Sequence, residues 1–291
     1  PNLLPGGRRI GAPSGASEVA RTWGTGSLPA AAGRATGEIL AATASGDIEA
    51  LLIGAVDPDD LPDPAAALRA IEAAGFVVSL ELRVSAVTDR ADVVFPVAAV
   101  AEKPGTFVNW EGRVGSFEAA LPVPTVRTDL HVLGALADEM DVHLGLPDLE
   151  SARRELTALT TSAAPAGPAG DDAPLGRISQ LQVEHPGPGR ALLATWHNLL
   201  DAGRMQDGEP NLAGTARATI ARLSAATAAE LGTAAGGKVT VATGRGSITV
   251  PLEITDMPDR VVWLPTNSAG SAIRRQLAAG HGSLVSVRSA E

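Results

Sequence analysis

Three short apolar runs, at residues 50–56, 76–80 and 92–97, constrain the fold of this chain more than any other feature. Continuous apolar runs of this length are typical of strands that are buried on both faces of a sheet. Between the first two runs, residues 63–74 have the signature of a helix, with Pro64 at its start and Gly75 just past its end. Strand, helix and strand in this order predict a parallel α/β sheet.

The other segments of the first half carry weaker signals. Residues 1–36 are rich in Gly, Pro and Ser and are predicted to form a loop, followed by a short helix at 37–44. A turn or short helix is expected at 88–91, and an amphipathic helix at 130–140. Residues 160–174 are a low-complexity Ala/Pro/Gly stretch, which is typical of a linker and places the domain boundary nearby.

The second half is predicted to contain helices and then short strands. Helical stretches are expected at 195–200 and 213–223. Strands are expected at 238–243, 247–254, 260–264 and 284–288, and a compact barrel would close so many short strands. The predicted division is therefore an α/β region at 1–159, a linker at 160–190, and helices plus a barrel at 191–291.

Composition excludes several classes of function. The net charge of −10 argues against binding to nucleic acid or to anionic lipid, since both require clustered Lys and Arg. The chain has no cysteine, which excludes disulfides and thiolate-held iron–sulfur or zinc sites within it. No apolar run approaches the roughly 18–20 residues of a membrane span. The chain begins with Pro1 in a loop-like stretch, so we expect it to be part of a longer protein.

Two glycine patterns resemble nucleotide-binding loops but lack the necessary context. Residues 232–238 fit G-x-x-x-x-G-K, yet Val239 replaces the hydroxyl residue and Lys238 opens a predicted strand. Gly244 and Gly246 join two predicted strands, whereas a dinucleotide fingerprint joins a strand to a helix. Both patterns are therefore interpreted as turns.

Histidine and aspartate patterns do not predict a metal site. The five histidines form no H-x-x-x-H pair, and we expect each to lie at the surface or to cap a helix: His131, His143, His185, His197 and His281. The acidic run after the first strand could hold a cation, but a solvated turn and a helix N-cap explain it better: Asp57, Asp59, Asp60 and Asp63.

One segment, residues 101–113, could carry a binding function. It follows the strand at 92–97, at the carboxyl end where open α/β sheets bind their ligands. It offers glycines for close backbone approach, hydrogen-bonding side chains and charges: Glu102, Gly105, Thr106, Asn109, Glu111, Gly112 and Arg113. Such a set could bind a cofactor that carries a purine and phosphates. The alternative is a structural loop whose charged groups satisfy one another.

Three motifs resemble one known family. Residues 88–113 (TDRADVVFP, then EKPGTFVNWEGR) resemble the signature of molybdopterin oxidoreductases. Residues 199–217 (LLDAGRMQDGEP, then LAGTAR) and 261–268 (VVWLPTNS) are similar to one branch of that family, the large iron–sulfur subunit of respiratory complex I in its actinobacterial type.

The resemblance implies a fold, a role and partners. The fold would be a Rossmann-like α/β region followed by a C-terminal double-psi β-barrel. The segment would be a non-catalytic scaffold that contacts other subunits of the peripheral arm, at the cytoplasmic side of the cell membrane. It would bind neither a metal nor a cofactor. The [4Fe-4S] and [2Fe-2S] clusters of the parent subunit would lie in the N-terminal half.

The resemblance also assigns five residues to an inherited pterin pocket: Glu102, Thr106, Asn109, Glu111 and Arg113. In this branch they are expected to keep the pocket closed by mutual hydrogen bonds. Two further hypotheses stay open at this point. The chain could be the C-terminal half of a catalytic molybdopterin enzyme such as a formate dehydrogenase, or an acidic protein-interaction domain with no redox partner.

Overall fold

The protein is described from a computed structural model that defines residues 3–4, 8–9, 13–29, 33–109, 113–121, 123, 125–161 and 185–290. The chain divides into two compact units. The first unit comprises residues 1–55 and 70–179, and the second comprises residues 56–69 and 180–291. The predicted boundaries at 159 and 191 remain a prediction, because most of the linker (162–184) lies outside the described residues.

Among the described residues, the first unit contains five helices and seven strands. This count includes α3, which begins in the segment assigned to the second unit. In chain order they are β1 (Leu3–Leu4), β2 (Arg8–Arg9), α1 (Pro13–Thr22), α2 (Thr36–Ser45), β3 (Ala50–Gly54), α3 (Pro64–Ala73), β4 (Phe76–Glu81), β5 (Val93–Pro96), β6 (Gly105–Val108), β7 (Val114–Phe117), α4 (Asp129–Glu139) and α5 (Leu149–Thr161). Short 3₁₀ turns lie at Pro58–Asp60, Thr88–Arg90 and Val100–Glu102.

A three-stranded parallel sheet organises this unit. Its order is β3-β4-β5, and all three strands coincide with the predicted apolar runs. One face packs through Val77 against Ile71 of α3 and against Val87. The other face packs through Leu80 against Val132 of α4. The predicted parallel α/β arrangement is therefore confirmed.

Other expectations for the first half were wrong. Residues 13–22 of the predicted loop form helix α1, in which Val19 is fully buried. Helix α5 was not predicted. Within the segment 101–113, where a loop was expected, residues 105–108 form β6, which pairs with β7 at 114–117 in a hairpin. The high Gly, Pro and Ser content of residues 1–36 predicted a loop, and the buried apolar residues Val19 and Ala20 of α1 were missed.

The second unit is organised by a closed barrel. Its elements are β8 (Arg190–Trp196), α6 (Pro210–Ala213), β9 (Ala221–Leu223), α7 (Ala225–Glu230), β10 (Lys238–Thr243), β11 (Gly246–Ile254), β12 (Val261–Pro265), β13 (Asn267–Ser268), β14 (Ser271–Ala272), α8 (Ile273–Leu277) and β15 (Leu284–Ala290), with a 3₁₀ turn at Arg204–Gln206. Six strands close in the order β10-β11-β9-β12-β8-β15. The pairs β12–β8 and β11–β9 are parallel, and the other pairs are antiparallel.

Alternating side chains fill the barrel. Along β11, Ile248, Val250 and Leu252 point inward while their neighbours are exposed. They belong to a single buried cluster with Leu193 of β8 and Leu264 of β12. Burial of a large aliphatic side chain contributes about 1.5–3 kcal/mol, so this cluster is the main source of stability in the unit. The predicted double-psi β-barrel is confirmed.

The two helices predicted in this half were wrong. Residues 195–200 include the end of strand β8, where Ala191 and Leu193 show the two-residue period of a strand. In the segment 213–223, α6 ends at Ala213, and Ala221 and Leu223 are buried in strand β9. Alanine has the highest intrinsic helix propensity, but propensity is a weak determinant, and pairing within the barrel overrides it.

Both glycine patterns form turns, as predicted. Gly232 and Gly236 have positive φ values of 66° and 82° in the turn before β10. Gly244 lies in the tight connection from β10 to β11. None of the helices that the structure describes is long and apolar enough to cross a membrane.

Gly246→Ala is expected to lower the free energy of unfolding by about 1–3 kcal/mol, the usual cost of overpacking. A Cβ at this position would meet the carbonyl oxygen of Gln276, where α8 packs against β11. The matched control is Gly244→Ala, since a Cβ there meets nothing within 4 Å. Urea unfolding measures both variants, and equal stabilities would contradict the described packing.

Candidate functional site

The segment proposed from sequence to bind a cofactor follows β5 as a 3₁₀ turn and the β6–β7 hairpin. Glu102 belongs to the turn, and its carboxylate accepts a hydrogen bond of 2.9 Å from the N–H of Ala99. The neighbouring Lys103 forms an ion pair with Asp129, the first residue of α4. The carboxylate of Glu102 is therefore engaged with the backbone at the end of β5.

Thr106 is held by an arginine from α5. The Nε of Arg153 donates to the Thr106 hydroxyl at 3.1 Å, and another guanidinium nitrogen donates to the carbonyl oxygen of Gly105 at 3.0 Å. The same guanidinium lies 3.3 Å from Glu150 and 3.6 Å from Glu118. Arg153 thus joins α5 to the hairpin through charge-assisted hydrogen bonds, which are stronger than neutral ones.

Asn109 and Arg113 close the end of the hairpin. The side-chain oxygen of Asn109 accepts from the N–H of Arg113 at 2.9 Å, and the Asn109 N–H donates to the Arg113 carbonyl at 3.0 Å. These two of the five predicted residues are therefore in contact. Glu111, the fifth, lies outside the described residues, as does Gly112.

Gly105 does not offer open space to a ligand. A Cβ at Gly105 would collide with the ring of Phe117, its cross-strand partner. The arrangement is reciprocal, because a Cβ at Gly115 would collide with the ring of Phe107. The lack of side chains at both glycines thus allows two aromatic rings to lie across the hairpin.

These contacts test whether the segment fits the cofactor that the family resemblance implies. A pterin dinucleotide would need backbone approach at the glycine and polar groups that converge on it. The ring of Phe117 occupies the space beside Gly105. Glu102, Thr106 and Asn109 form hydrogen bonds within the chain. As described, these residues do not fit such a cofactor.

Arg153→Met is expected to lower the free energy of unfolding by about 1.5–3 kcal/mol, the range for hydrogen bonds to charged groups. Methionine keeps much of the length of the side chain but cannot donate to Thr106 or Gly105. The control is Arg154→Met, because exposed Arg154 bonds to Ser151 of its own helix. Hydrogen exchange at residues 105–117 should accelerate only in Arg153→Met. Equal exchange in both variants would contradict a role for Arg153 in fixing the hairpin.

The acidic run at residues 57–63 is capped and ion-paired within the second unit. The Asp57 side chain caps the 3₁₀ turn by accepting from the Asp59 N–H at 3.0 Å, and Asp63 accepts from the Ala66 N–H at 2.9 Å at the start of α3. The predicted capping role is therefore confirmed. Ion pairs join the run to residues of the barrel unit: Arg275 with Asp59 at 3.1 Å, Arg245 with Asp63 at 3.2 Å, and Arg204 with Asp57 at 3.9 Å.

These contacts change the electrostatics of Asp63. The hydrogen bond from the Ala66 N–H lowers the pKa of Asp63, and the charges of Arg245 and Arg69 lower this pKa further.

Among the described residues, no group of three or more His, Cys, Asp or Glu side chains could hold a metal ion.

Asp63→Ala is expected to cost about 1 kcal/mol at neutral pH, the typical value of a helix cap. Because the folded-state pKa is lowered, the stabilisation is present above the unfolded pKa of about 3.9 and is lost as pH falls through the folded value. The difference in melting temperature from the parent protein should therefore shrink below about pH 4. Asp256→Ala, at an exposed position of the same unit, is the control. A pH-independent difference would contradict the pairing of Asp63.

A cavity of about 350 Å³ lies at the barrel. Charged and aromatic side chains contribute to its lining: Asp60, Trp196, His197, Asp201, Arg274 and His281. Both histidines are exposed, as expected. An adjacent cavity of about 500 Å³ shares His197 and is lined also by Leu199, Leu200 and Arg217. Neither cavity was predicted from the sequence.

Hydrogen bonds explain why two of the family motifs meet here. The N–H of Ala202 donates to the carbonyl of Asn267 at 2.8 Å, and the amide of Asn198 donates to the Ser268 hydroxyl at 3.3 Å. The Thr195 and Thr266 hydroxyls are bonded at 2.8 Å. The segments 195–203 and 266–268 therefore form one wall. Both segments contain Thr and Asn, a signal that could have linked them, because such side chains bond readily to loop backbone.

Comparison with known proteins identifies the class. Residues 10–139 match the family model "Molybdopterin oxidoreductase", and residues 193–289 match "Molydopterin dinucleotide binding domain". The chain therefore contains two regions that match domains of molybdopterin oxidoreductases.

Over almost its whole length the chain is similar to the G subunit of NADH-quinone oxidoreductase. It is 53% identical, over 99% of its length, to the G subunit of Mycobacterium bovis, and 53% identical over the same share to that of Streptomyces coelicolor. The match covers 35% and 34% of those relatives, so the chain spans about a third of their length. The resemblance to the actinobacterial complex I subunit is thereby confirmed.

A solved structure supports the fold. Acetylene hydratase from Pelobacter acetylenicus superimposes with a TM-score of 0.58 over 96% of this chain and 50% of its own. The sequence identity is 16%, so this likeness concerns the fold alone.

Proposed function

We propose that this chain is a non-catalytic scaffold segment of the large iron–sulfur subunit in the peripheral arm of a proton-translocating NADH-quinone oxidoreductase. That enzyme would pass electrons from NADH through FMN and iron–sulfur clusters to quinone. The observation that carries the proposal is the 53% identity to the G subunit of such enzymes over 99% of the chain.

The chemistry of the chain supports a role outside the electron path. Iron–sulfur clusters are held by cysteine thiolates, and the chain has no cysteine. The clusters of the parent subunit would therefore be bound by residues beyond this segment. Binding to neighbouring subunits at the cytoplasmic side of the cell membrane would be its contribution.

The hairpin supports the absence of a working cofactor pocket. Arg153 bonds to Thr106 and to the backbone of Gly105, and Phe117 lies over that glycine. A pterin dinucleotide would have to displace these contacts and leave polar groups without partners, which costs about 1–3 kcal/mol for each buried group. We therefore interpret Glu102, Thr106, Asn109, Glu111 and Arg113 as the architecture of a vestigial pterin pocket.

Metal and pterin analysis of the intact protein tests this proposal. The full-length protein is purified with its associated subunits, and iron, molybdenum, tungsten, flavin and oxidised pterin are quantified. The expected result is iron and flavin in a multisubunit particle, with molybdenum and tungsten at background. A catalytic molybdenum enzyme prepared in parallel is the positive control for the pterin assay.

Two results would contradict the proposal. One molybdenum or tungsten per polypeptide, with matching pterin, would indicate a catalytic molybdopterin oxidoreductase. A full-length protein that sediments alone, without other respiratory subunits, would indicate an independent interaction domain.

A further inference from the structure

Residues 57–63, between β3 and α3, form a strap on the barrel unit, to which they belong by their contacts. Arginines from three separate elements of that unit pair with the strap: Arg275 of α8 with Asp59, Arg245 of the β10–β11 connection with Asp63, and Arg204 of a 3₁₀ turn with Asp57. The strap is therefore attached at several points that lie far apart in the sequence.

Ion pairs contribute more to this attachment than apolar packing. Among residues 57–63 only Pro58 is buried. The side chains of Arg275 and Arg245 are 64% and 53% exposed, and exposed ion pairs are weak because water and salt screen them. Local opening is easiest where few apolar contacts are buried. The strap can therefore leave the barrel while the barrel core stays folded.

The strap also contributes to the wall of the 350 Å³ cavity. Asp60 lines this cavity, and Arg274, which lines it too, donates a hydrogen bond to the carbonyl oxygen of Asp60. Two buried apolar residues, Ile273 and Ala279, belong to the same lining. Departure of the strap would remove one part of the wall and give solvent access to these residues.

The rest of the wall is fixed to the barrel. The Ile273 N–H donates to the carbonyl of Thr266 at 3.0 Å, and Ile273 is part of the buried barrel cluster. The Gly280 N–H donates to the hydroxyl of Ser283 at 3.0 Å, just before β15. These parts of the wall move with the barrel, whereas the strap can move alone.

We propose that residues 57–63 are an electrostatic strap, which closes the 350 Å³ cavity while its ion pairs are formed and opens the cavity when they are screened. The device is a local order change in one segment, driven by ionic strength or by a competing charged group. The strap acts in the same way whether or not the full-length protein belongs to a respiratory enzyme, so this inference does not depend on the proposed function.

Salt distinguishes the strap from the barrel core. The electrostatic screening length falls from about 10 Å at 0.1 M salt to about 3 Å at 1 M. The shorter length is comparable with the N–O distances of the three ion pairs, which are 3.1, 3.2 and 3.9 Å. The barrel core is apolar, so its packing does not depend on such screening. High salt should therefore release the strap and leave the barrel closed.

Thiol labelling of the full-length protein tests the proposal. Ala279→Cys places a thiol in the cavity wall, and Ala191→Cys, at a fully buried position inside the barrel, reports opening of the barrel itself. Maleimide labelling is read by mass spectrometry of the peptide that contains each site and is divided by the rate of free glutathione at the same salt. From 0.1 to 1 M NaCl, labelling at position 279 should accelerate at least about threefold, and labelling at position 191 should stay unchanged.

Charge reversal shows whether the ion pairs are the cause. At 0.1 M NaCl, Arg275→Glu in the Ala279→Cys protein should label as fast as its parent does at 1 M, because Glu repels Asp59. Adding Asp59→Arg restores the pair with reversed charges and should restore slow labelling. Arg288→Glu is the matched control, since Arg288 is exposed on β15 and has no ion pair with the strap among the described residues.

Arginine modification of the unmodified full-length protein is the second measurement, in case Ala279→Cys does not fold. Phenylglyoxal reacts with accessible guanidinium groups, and the ratio of the rates at Arg275 and Arg288 should rise about threefold between 0.1 and 1 M NaCl. A ratio that is independent of salt would overturn the proposal. Labelling at position 279 that does not respond to salt, or that responds equally to Arg275→Glu and Arg288→Glu, would also overturn it.

Discussion

Closure of the six-stranded ring is the constraint on which the second unit depends. In a closed barrel every strand has two neighbours, so residues that favour helices are fixed as strands when they complete the ring. Strand β9 is the clearest case, because its three residues bridge β11 and β12. Ala221 and Leu223 are buried in this strand, although the surrounding sequence is rich in alanine, which favours helices. Without this short strand the ring would open and its apolar interior would meet water.

The parts of the fold that could be predicted are those in which the local sequence shows the pattern of apolar residues that is typical of a strand. The strands at 238–243 and 246–254 alternate apolar and polar residues around a glycine turn, and both were identified almost to the residue. The apolar runs of β3, β4 and β5 were equally clear. Strands β8 and β9 escaped prediction because their partners lie far away in the chain. The sequence of residues 213–223 gives no indication that this segment pairs with β12.

The candidate site also has features that could be predicted from the sequence and features that could not. The family motif drew attention to Thr106, Asn109 and Arg113, but it predicted neither the hairpin that carries them nor the groups that they contact. The partner of Thr106 is Arg153, 47 residues away on an unpredicted helix. Gly105 was expected from sequence to permit close approach to the backbone, and the group that approaches it is the Phe117 ring of the same hairpin.

The segment 56–69 has a consequence for how this protein can be dissected. It belongs with the barrel, although residues 50–55 before it and 70–73 after it belong to the α/β unit. No single cleavage of the polypeptide can therefore separate the two units intact. A fragment that starts at Gln180 would retain Arg204, Arg245 and Arg275 but lose the acidic residues with which they form ion pairs. Its surface would carry a cluster of positive charge that is foreign to the whole molecule, and its affinity for polyanions would be an artefact of the cut.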